Sequence, residues 1–111
     1  MQLTLVRNAT LILDYAGTRI LVDPYLAPRY AFPSFTGASQ NPTVDLPLPV
    51  ANITQGVDAV LITHLHTDHF DSYAQDAINK AMRVGCQPGD AAKIREMGFT
   101  AVAPVDDTIT W

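Results

Sequence analysis

The order of the apolar segments restricts the fold more than any other feature of the sequence. Three short segments near the start of the chain, at residues 2–6, 10–13 and 19–22, contain apolar residues that either alternate with polar ones or follow one another. Only short turns separate the three segments. This pattern predicts an antiparallel meander of three strands, with Gly17 in the second turn at positive φ. Residues 59–62 form a continuous apolar run, which is typical of a strand buried on both faces.

The second half of the chain alternates helical and extended patterns. Ser72 and Gln75 have the spacing of a capping box, which predicts a helix that runs to Arg83 and ends at Gly85. A second helix is predicted from Asp90 to Gly98. Short strands are predicted near 84–86, 100–102 and 108–111. The chain is therefore predicted to be an α/β domain, a β-meander followed by a βαβαβ unit.

Residues 24–56 form a proline-rich segment in which we predict neither helix nor strand. Such a long connection in a small domain is usually a functional loop or a linker. Disordered linkers are poor in aromatic residues, so the aromatic content here favours an ordered loop. Six of the eight prolines lie in it, together with the aromatic residues Tyr25, Tyr30, Phe32 and Phe35.

Size and charge exclude several classes of protein. The chain has 111 residues, enough for one domain, and its net charge of −4 lacks the basic excess of a nucleic-acid-binding protein. The apolar runs are too short for a membrane span. The single cysteine, Cys86, cannot form a disulfide within the chain and is consistent with a cytoplasmic protein. We expect Cys86 to be a buried structural thiol rather than a nucleophile.

All three histidines lie within six residues, in the string His64-Leu65-His66-Thr67-Asp68-His69. Side chains alternate along a strand, so His64 and His66 should point to one side at the end of the predicted strand. Asp68 and His69 follow in the turn before the helix and can fold back toward them. A single histidine at such a place is usually structural, but three imidazoles and a carboxylate together favour a metal site.

This string resembles the H-x-H-x-D-H signature of the metallo-β-lactamase superfamily. The similarity extends outside the motif and is greatest to the L-ascorbate-6-phosphate lactonase-like branch. It includes residues 8–11, 20–24, 41–49 and 57–63, and so covers nearly the whole chain.

The resemblance implies a metal-dependent hydrolase with an αββα sandwich, of which residues 1–111 would be a truncated N-terminal half. It implies two divalent metal ions, zinc or manganese, and no organic cofactor. His64 and His66 would bind the first ion, and Asp68 and His69 the second, with Asp68 also the catalytic carboxylate. Asp23 would orient a ligand from beside the site, or else would only form a turn before Pro24.

The chain departs from the family in the number of its ligands. The second half of the family's fold normally supplies two further histidines and a bridging aspartate, but no histidine follows His69 here. The chain is then a fragment, a truncated product, or one part of a site that another chain completes. Two hypotheses stay open: a hydrolase in which water activated by the metal ions attacks a lactone, ester or phosphoester, and a non-catalytic metal-binding or partner-binding module.

Two further expectations concern what the domain contacts. We expect the 24–56 loop to lie over the metal ions and to select a small-molecule substrate, with no nucleic acid or membrane as partner. A half-sandwich carries helices on one face of its sheet only, so the other face should be apolar and uncovered. We therefore expect a homo-oligomer, or a missing C-terminal half, to cover the residues Leu3, Leu5, Leu11, Leu13, Ile20 and Val22.

Overall fold

The computed structural model describes residues 1–31, 42, 44–66 and 68–105. Within these residues the strands form one six-stranded sheet in which spatial order follows sequence order. The predicted α/β class and the order of meander and parallel strands are confirmed. The strands are β1 (Gln2–Arg7), β2 (Thr10–Tyr15), β3 (Thr18–Val22), β4 (Ala59–Ile62), β5 (Arg83–Cys86) and β6 (Ala101–Pro104).

The first three strands are antiparallel and are joined by tight turns. Asn8 turns the chain between β1 and β2 at a φ of 55°, which asparagine tolerates better than most residues. Gly17 adopts a φ of 80° between β2 and β3, as predicted for this hairpin.

The remaining strands pair in parallel, β3 with β4, β4 with β5, and β5 with β6. Three of the four residues of β4 are buried, because helices cover one face and neighbouring strands flank both edges. Parallel strands bring their carboxyl ends to one edge of the sheet, where loops carry the functional groups of many α/β proteins. The histidine string follows β4 directly, so it begins at this edge.

The first predicted helix is much shorter than its sequence pattern indicated. α2 spans Ser72–Ala77, and its N-cap is Asp71 rather than Ser72. Ile78 is extended, and the Asn79 side chain accepts a hydrogen bond from the Ala81 backbone N–H at 2.8 Å. A local turn of this kind competes with the helix. Gly85 therefore lies inside β5 and is not a helix cap, which corrects the prediction.

The second predicted helix is confirmed, whereas the proline-rich segment contains a helix that we did not predict. A 3₁₀ turn at Pro88–Asp90 leads into α3 (Ala91–Glu96), and Gly98 follows at a φ of 102°. α1 (Val50–Thr54) begins directly after Pro49 and buries Ile53 completely. So short a helix has too few turns to produce a periodic pattern. The predicted strand at 108–111 lies outside the described residues.

The core lies between the sheet and its helices. It contains alternate residues of the strands, such as Ile12, Leu21 and Val60, packed with Ile53 and Ile94 from the helices. On the opposite face Leu3 and Leu5 are 57% and 66% exposed. In the part of the chain that the structure describes, no helix is long and apolar enough to cross a membrane.

Candidate metal centre

The end of β4 holds two of the three histidines side by side. After Ile62 the chain leaves the sheet, and the rings of His64 and His66 lie with centroids 5.8 Å apart and planes inclined by 25°. Both side chains belong to exposed residues. The alternation of an extended chain thus places both imidazoles on one side, as the sequence predicts.

A turn then brings the third histidine back to the first two. The backbone N–H groups of His69 and Phe70 both donate to the carbonyl of His66, at 2.9 and 3.0 Å. Phe70 anchors this turn, since it is buried against the ring of Phe99. The His69 ring consequently lies 5.1 Å from that of His64 and 6.3 Å from that of His66. The three imidazoles surround one solvent-accessible space.

The side chain of Asp23 lies beneath this space and is almost completely buried. Its Oδ2 accepts a hydrogen bond from His69 Nδ1 at 2.9 Å and another from Thr63 Oγ1 at 2.5 Å. Its Oδ1 accepts the Thr63 backbone N–H at 2.6 Å. These contacts favour the predicted orienting role of Asp23 over a role in the turn alone, because carboxylates commonly hold the far nitrogen of metal-binding histidines.

The backbone at Asp23 is strained in a way that a turn alone does not explain. Its φ is 45°, in the left-handed region that residues with a Cβ seldom adopt. The carbonyl of Asp23 accepts a hydrogen bond from Thr10 Oγ1 at 2.6 Å, and its N–H donates to the carbonyl of Leu61 at 2.9 Å. Two neighbouring strands therefore hold the conformation that turns the carboxylate toward His69.

Asp68 lies at the rim of the site and is half-buried. Its Oδ1 is 3.9 Å from His69 Nε2, too far for a hydrogen bond. The amide of Asn8, from the turn between β1 and β2, lies 3.5 Å from Asp68 Oδ2. The Asp68 carboxylate thus lies close to the His69 imidazole and to the Asn8 amide.

The donor types at this site suit a divalent metal ion. Neutral imidazole and carboxylate are ligands of zinc and manganese. His69 contacts Asp23 through Nδ1, and His64 contacts Thr63 through Nδ1, so the Nε2 atom of each ring faces away from that contact. Within residues 1–31, 42, 44–66 and 68–105, however, no three His, Cys, Asp or Glu side chains are placed so that together they could hold a metal ion. The described residues therefore provide an open group of candidate ligands rather than a complete site.

The loop after Asp23 is fixed to the same framework by a buried arginine. Arg7 donates to the carbonyls of Tyr25 at 2.6 Å, Ala27 at 2.8 Å and Val44 at 3.1 Å. Its guanidinium also lies 4.9 Å from the centre of the Tyr25 ring. Burial lowers the pKa of Arg7 from its ordinary value. Arg7 thus ties both the start of the loop and Val44, farther along it, to β1.

A buried carboxylate connects this loop to the turn that carries His69. Asp71 Oδ1 accepts the backbone N–H of Leu26 and that of Ala74, each at 3.0 Å, so it caps α2 and holds the loop at once. Burial raises the pKa of the Asp71 carboxyl above its usual value. Thr10 adds a third tie, since its Oγ1 accepts the N–H of Tyr25 at 2.9 Å.

The four aromatic residues assigned to a substrate loop are in different situations. Tyr25 is 2% exposed and packs within the base of the loop, and burial raises its pKa. Tyr30 is 48% exposed and adopts a φ of 64°. Phe32 and Phe35 lie outside the described residues. The assignment of these residues to substrate selection stays a prediction.

The sequence matches the family described as Beta-lactamase superfamily domain over residues 2–110. The chain belongs to the beta-lactamase superfamily. The assignment of His64, His66, Asp68 and His69 as metal ligands stays a prediction.

Solved structures and curated relatives of the superfamily extend well beyond this chain. An isothiocyanate hydrolase from Delia radicum gut bacteria is 46% identical, with a TM-score of 0.92, over 96% of this chain and 42% of that one. A possible metal-dependent hydrolase from Veillonella parvula DSM 2008 is 38% identical, with a TM-score of 0.90, over 94% and 42%. The UPF0173 protein YddR of Bacillus subtilis (strain 168) is 39% identical over 92% of this chain and 42% of its own length. The 111 residues thus correspond to the N-terminal part of the superfamily domain.

Sequence reasoning missed three residues that help to hold the candidate site in place. Thr63, Thr10 and Asn8 carry short polar side chains that contact Asp23 or Asp68. Each lies where a strand begins or ends, and a short polar residue at such a place is common in turns and strands. The sequence alone therefore gives no sign of its contact. Only the pairing of β2, β3 and β4 brings these residues to one edge of the sheet.

Proposed function

We propose that this chain provides the metal-binding part of a metal-dependent hydrolase of the beta-lactamase superfamily. The observation that carries the proposal is the convergence of the His64, His66 and His69 rings within 6.3 Å of each other. Imidazole nitrogens and a nearby carboxylate, grouped in this way, are typical ligands of zinc and manganese.

The residues of the chain would hold two divalent ions, zinc or manganese, through His64 and His66 on one side and Asp68 and His69 on the other. When bound, such ions supply a water of lowered pKa and polarise the bond that the water attacks. Asp68 is the catalytic carboxylate of the proposal. Asp23 keeps the His69 ring in place through its bond to Nδ1.

The substrate class follows from this chemistry only in outline. An activated water attacks electrophilic carbon or phosphorus, so a lactone, an ester or a phosphoester fits the site. The 46% identical isothiocyanate hydrolase adds an isothiocyanate carbon as another electrophile of this kind. In the described part of the chain, Arg29 is the one basic residue between Arg19 and Lys80, which favours an uncharged substrate over a phosphorylated one.

The proposal is tested with the full encoded protein on a panel of a lactone, an ester, a phosphoester and an isothiocyanate. We expect at least one to be hydrolysed, with loss of activity after chelation and recovery when zinc or manganese is returned. Asp68→Asn should lower kcat by about 100-fold or more, since removal of a catalytic group typically costs that much. Hydrolysis that persists after chelation would contradict the proposal. If none of the substrates is hydrolysed, the non-catalytic module is favoured.

We keep a cytoplasmic location as part of the proposal, supported by the single buried Cys86. Burial also raises the pKa of this thiol, which disfavours the reactive thiolate form. This supports the structural role for Cys86 and leaves the histidine group as the centre of the chemistry.

A further inference from the structure

The hydroxyl of Thr63 lies among three partners that compete for it. Thr63 Oγ1 is 2.5 Å from Asp23 Oδ2, 3.1 Å from His64 Nδ1 and 3.5 Å from His69 Nδ1. A hydroxyl carries a single hydrogen, so it donates to one partner and accepts from the others. The very short distance to Asp23, typical of O–H to carboxylate bonds, assigns the hydrogen to that contact.

This assignment determines which form of the His64 imidazole is present. Since the Thr63 hydrogen points at Asp23, the oxygen can only accept from His64, and His64 Nδ1 must carry a hydrogen. The neutral ring then has its lone pair on Nε2. His69 reaches the same state by a different contact, because its Nδ1 donates to Asp23 Oδ2 at 2.9 Å.

We infer that Thr63 is a positioning residue that selects the Nδ1–H form of His64 and so presents its Nε2 as the ligand nitrogen. That His64 Nε2 binds a metal ion rests on the proposed function. The position of the hydrogen on the His64 ring, in contrast, is a property of the chain without metal. Among the described residues, no comparable hydrogen bond to a ring nitrogen of His66 is present.

The backbone around Thr63 keeps the hydroxyl in this position. Its N–H donates to Asp23 Oδ1 at 2.6 Å, and its carbonyl accepts from Gln87 Nε2 at 2.5 Å. Thr63 is thus held from both strands that flank β4. Removing the hydroxyl alone should therefore leave the chain path unchanged.

Thr63→Val tests the inference, since valine has the shape of threonine and keeps the backbone bond to Asp23. Nitrogen NMR of the metal-free chain, above the pH where its histidines are protonated, distinguishes the two nitrogens of each ring. We expect His64 to carry its hydrogen on Nδ1 in the parent chain and to change to a mixture of both forms in Thr63→Val. Thr63→Ser restores the hydroxyl and should restore the Nδ1–H form.

His69 provides the internal control in the same spectra, because its Nδ1–H depends on Asp23 and should persist in Thr63→Val. That signal also verifies that the variant has folded. Zinc binding should weaken by about 10- to 100-fold in Thr63→Val and by much less in Thr63→Ser.

A His64 ring that carries its hydrogen on Nε2 in the parent chain would overturn the inference, as would a ring unchanged by Thr63→Val. Failure of zinc to bind the parent chain is a different result. It would overturn the proposed function, while the ring forms seen without metal would still test the role of Thr63.

Discussion

Replacing His64 and His66 together by alanine should abolish binding at the first of the two proposed metal positions and leave the fold intact. These imidazoles come from one strand end and lie side by side at 5.8 Å, so their loss removes two ligands of one ion. Affinity for zinc should fall by at least about 100-fold, more than the loss of a residue that merely orients a ligand. Titration calorimetry with zinc measures this directly.

The fold should tolerate this double change, because both residues are exposed. Substitutions at such positions usually alter the free energy of unfolding by less than about 0.5 kcal/mol each. Asp76→Ala is the matched control, since it removes an exposed potential ligand from α2, outside the histidine group. An affinity for zinc that the double variant retains would show that these histidines are not ligands.

Charges on the open face of the sheet should convert an associating chain into a monomer. The strand register aligns two apolar rows across this face: Leu5, Leu11, Val22 and Leu61 form one, and Leu3, Leu13, Ile20 and Ala59 form the other. Contiguous apolar surfaces of this kind mark sites of association.

We therefore propose that a C-terminal half or a second copy of the chain covers this face. For the 111-residue chain we expect light scattering to give a mass well above 12.1 kDa. Leu3→Lys with Leu5→Lys should reduce the mass to that of a monomer, because a lysine buried between two sheets has no partner for its charge.

Thr4→Lys is the control for this experiment. It adds one lysine to the same exposed edge strand but on the other face, so it leaves the apolar rows of the open face unchanged. We expect Thr4→Lys to leave the association unchanged. A parent chain that is a monodisperse 12.1 kDa monomer would contradict the idea that this face needs a cover.

The strands could be predicted from the sequence more accurately than the helices. The alternation at Leu3 and Leu5 reflects the pleat of a strand, which sends every second side chain to one face, and the continuous apolar run of β4 reflects a strand covered on both faces. The end of α2 could not be predicted. The apolar stripe continues to Met82, but burial of Ile78 in extended form and the turn at Asn79 end the helix earlier. The burial of Ile78 is a tertiary effect, and helix propensity is too weak to indicate it.

For the site, the sequence identifies the groups that carry the chemistry but not those that hold them. Spacing alone predicts that His64 and His66 share a side and that His69 folds back, because both follow from local backbone geometry. The contact of Asp23 with His69 spans 46 positions and depends on the pairing of β3 with β4. The hydrogen bonds of Arg7 and Asp71 to the loop also join residues far apart in the sequence, so no short motif predicts them.

Elemental analysis of the chain tests the central claim most directly. The chain is purified without chelators, incubated with zinc or with manganese, dialysed, and analysed for metal content per chain. We predict about one metal ion or more retained per chain, lost again on treatment with a chelator. A content near zero that neither zinc nor manganese restores would contradict the assignment of His64, His66, Asp68 and His69 as metal ligands.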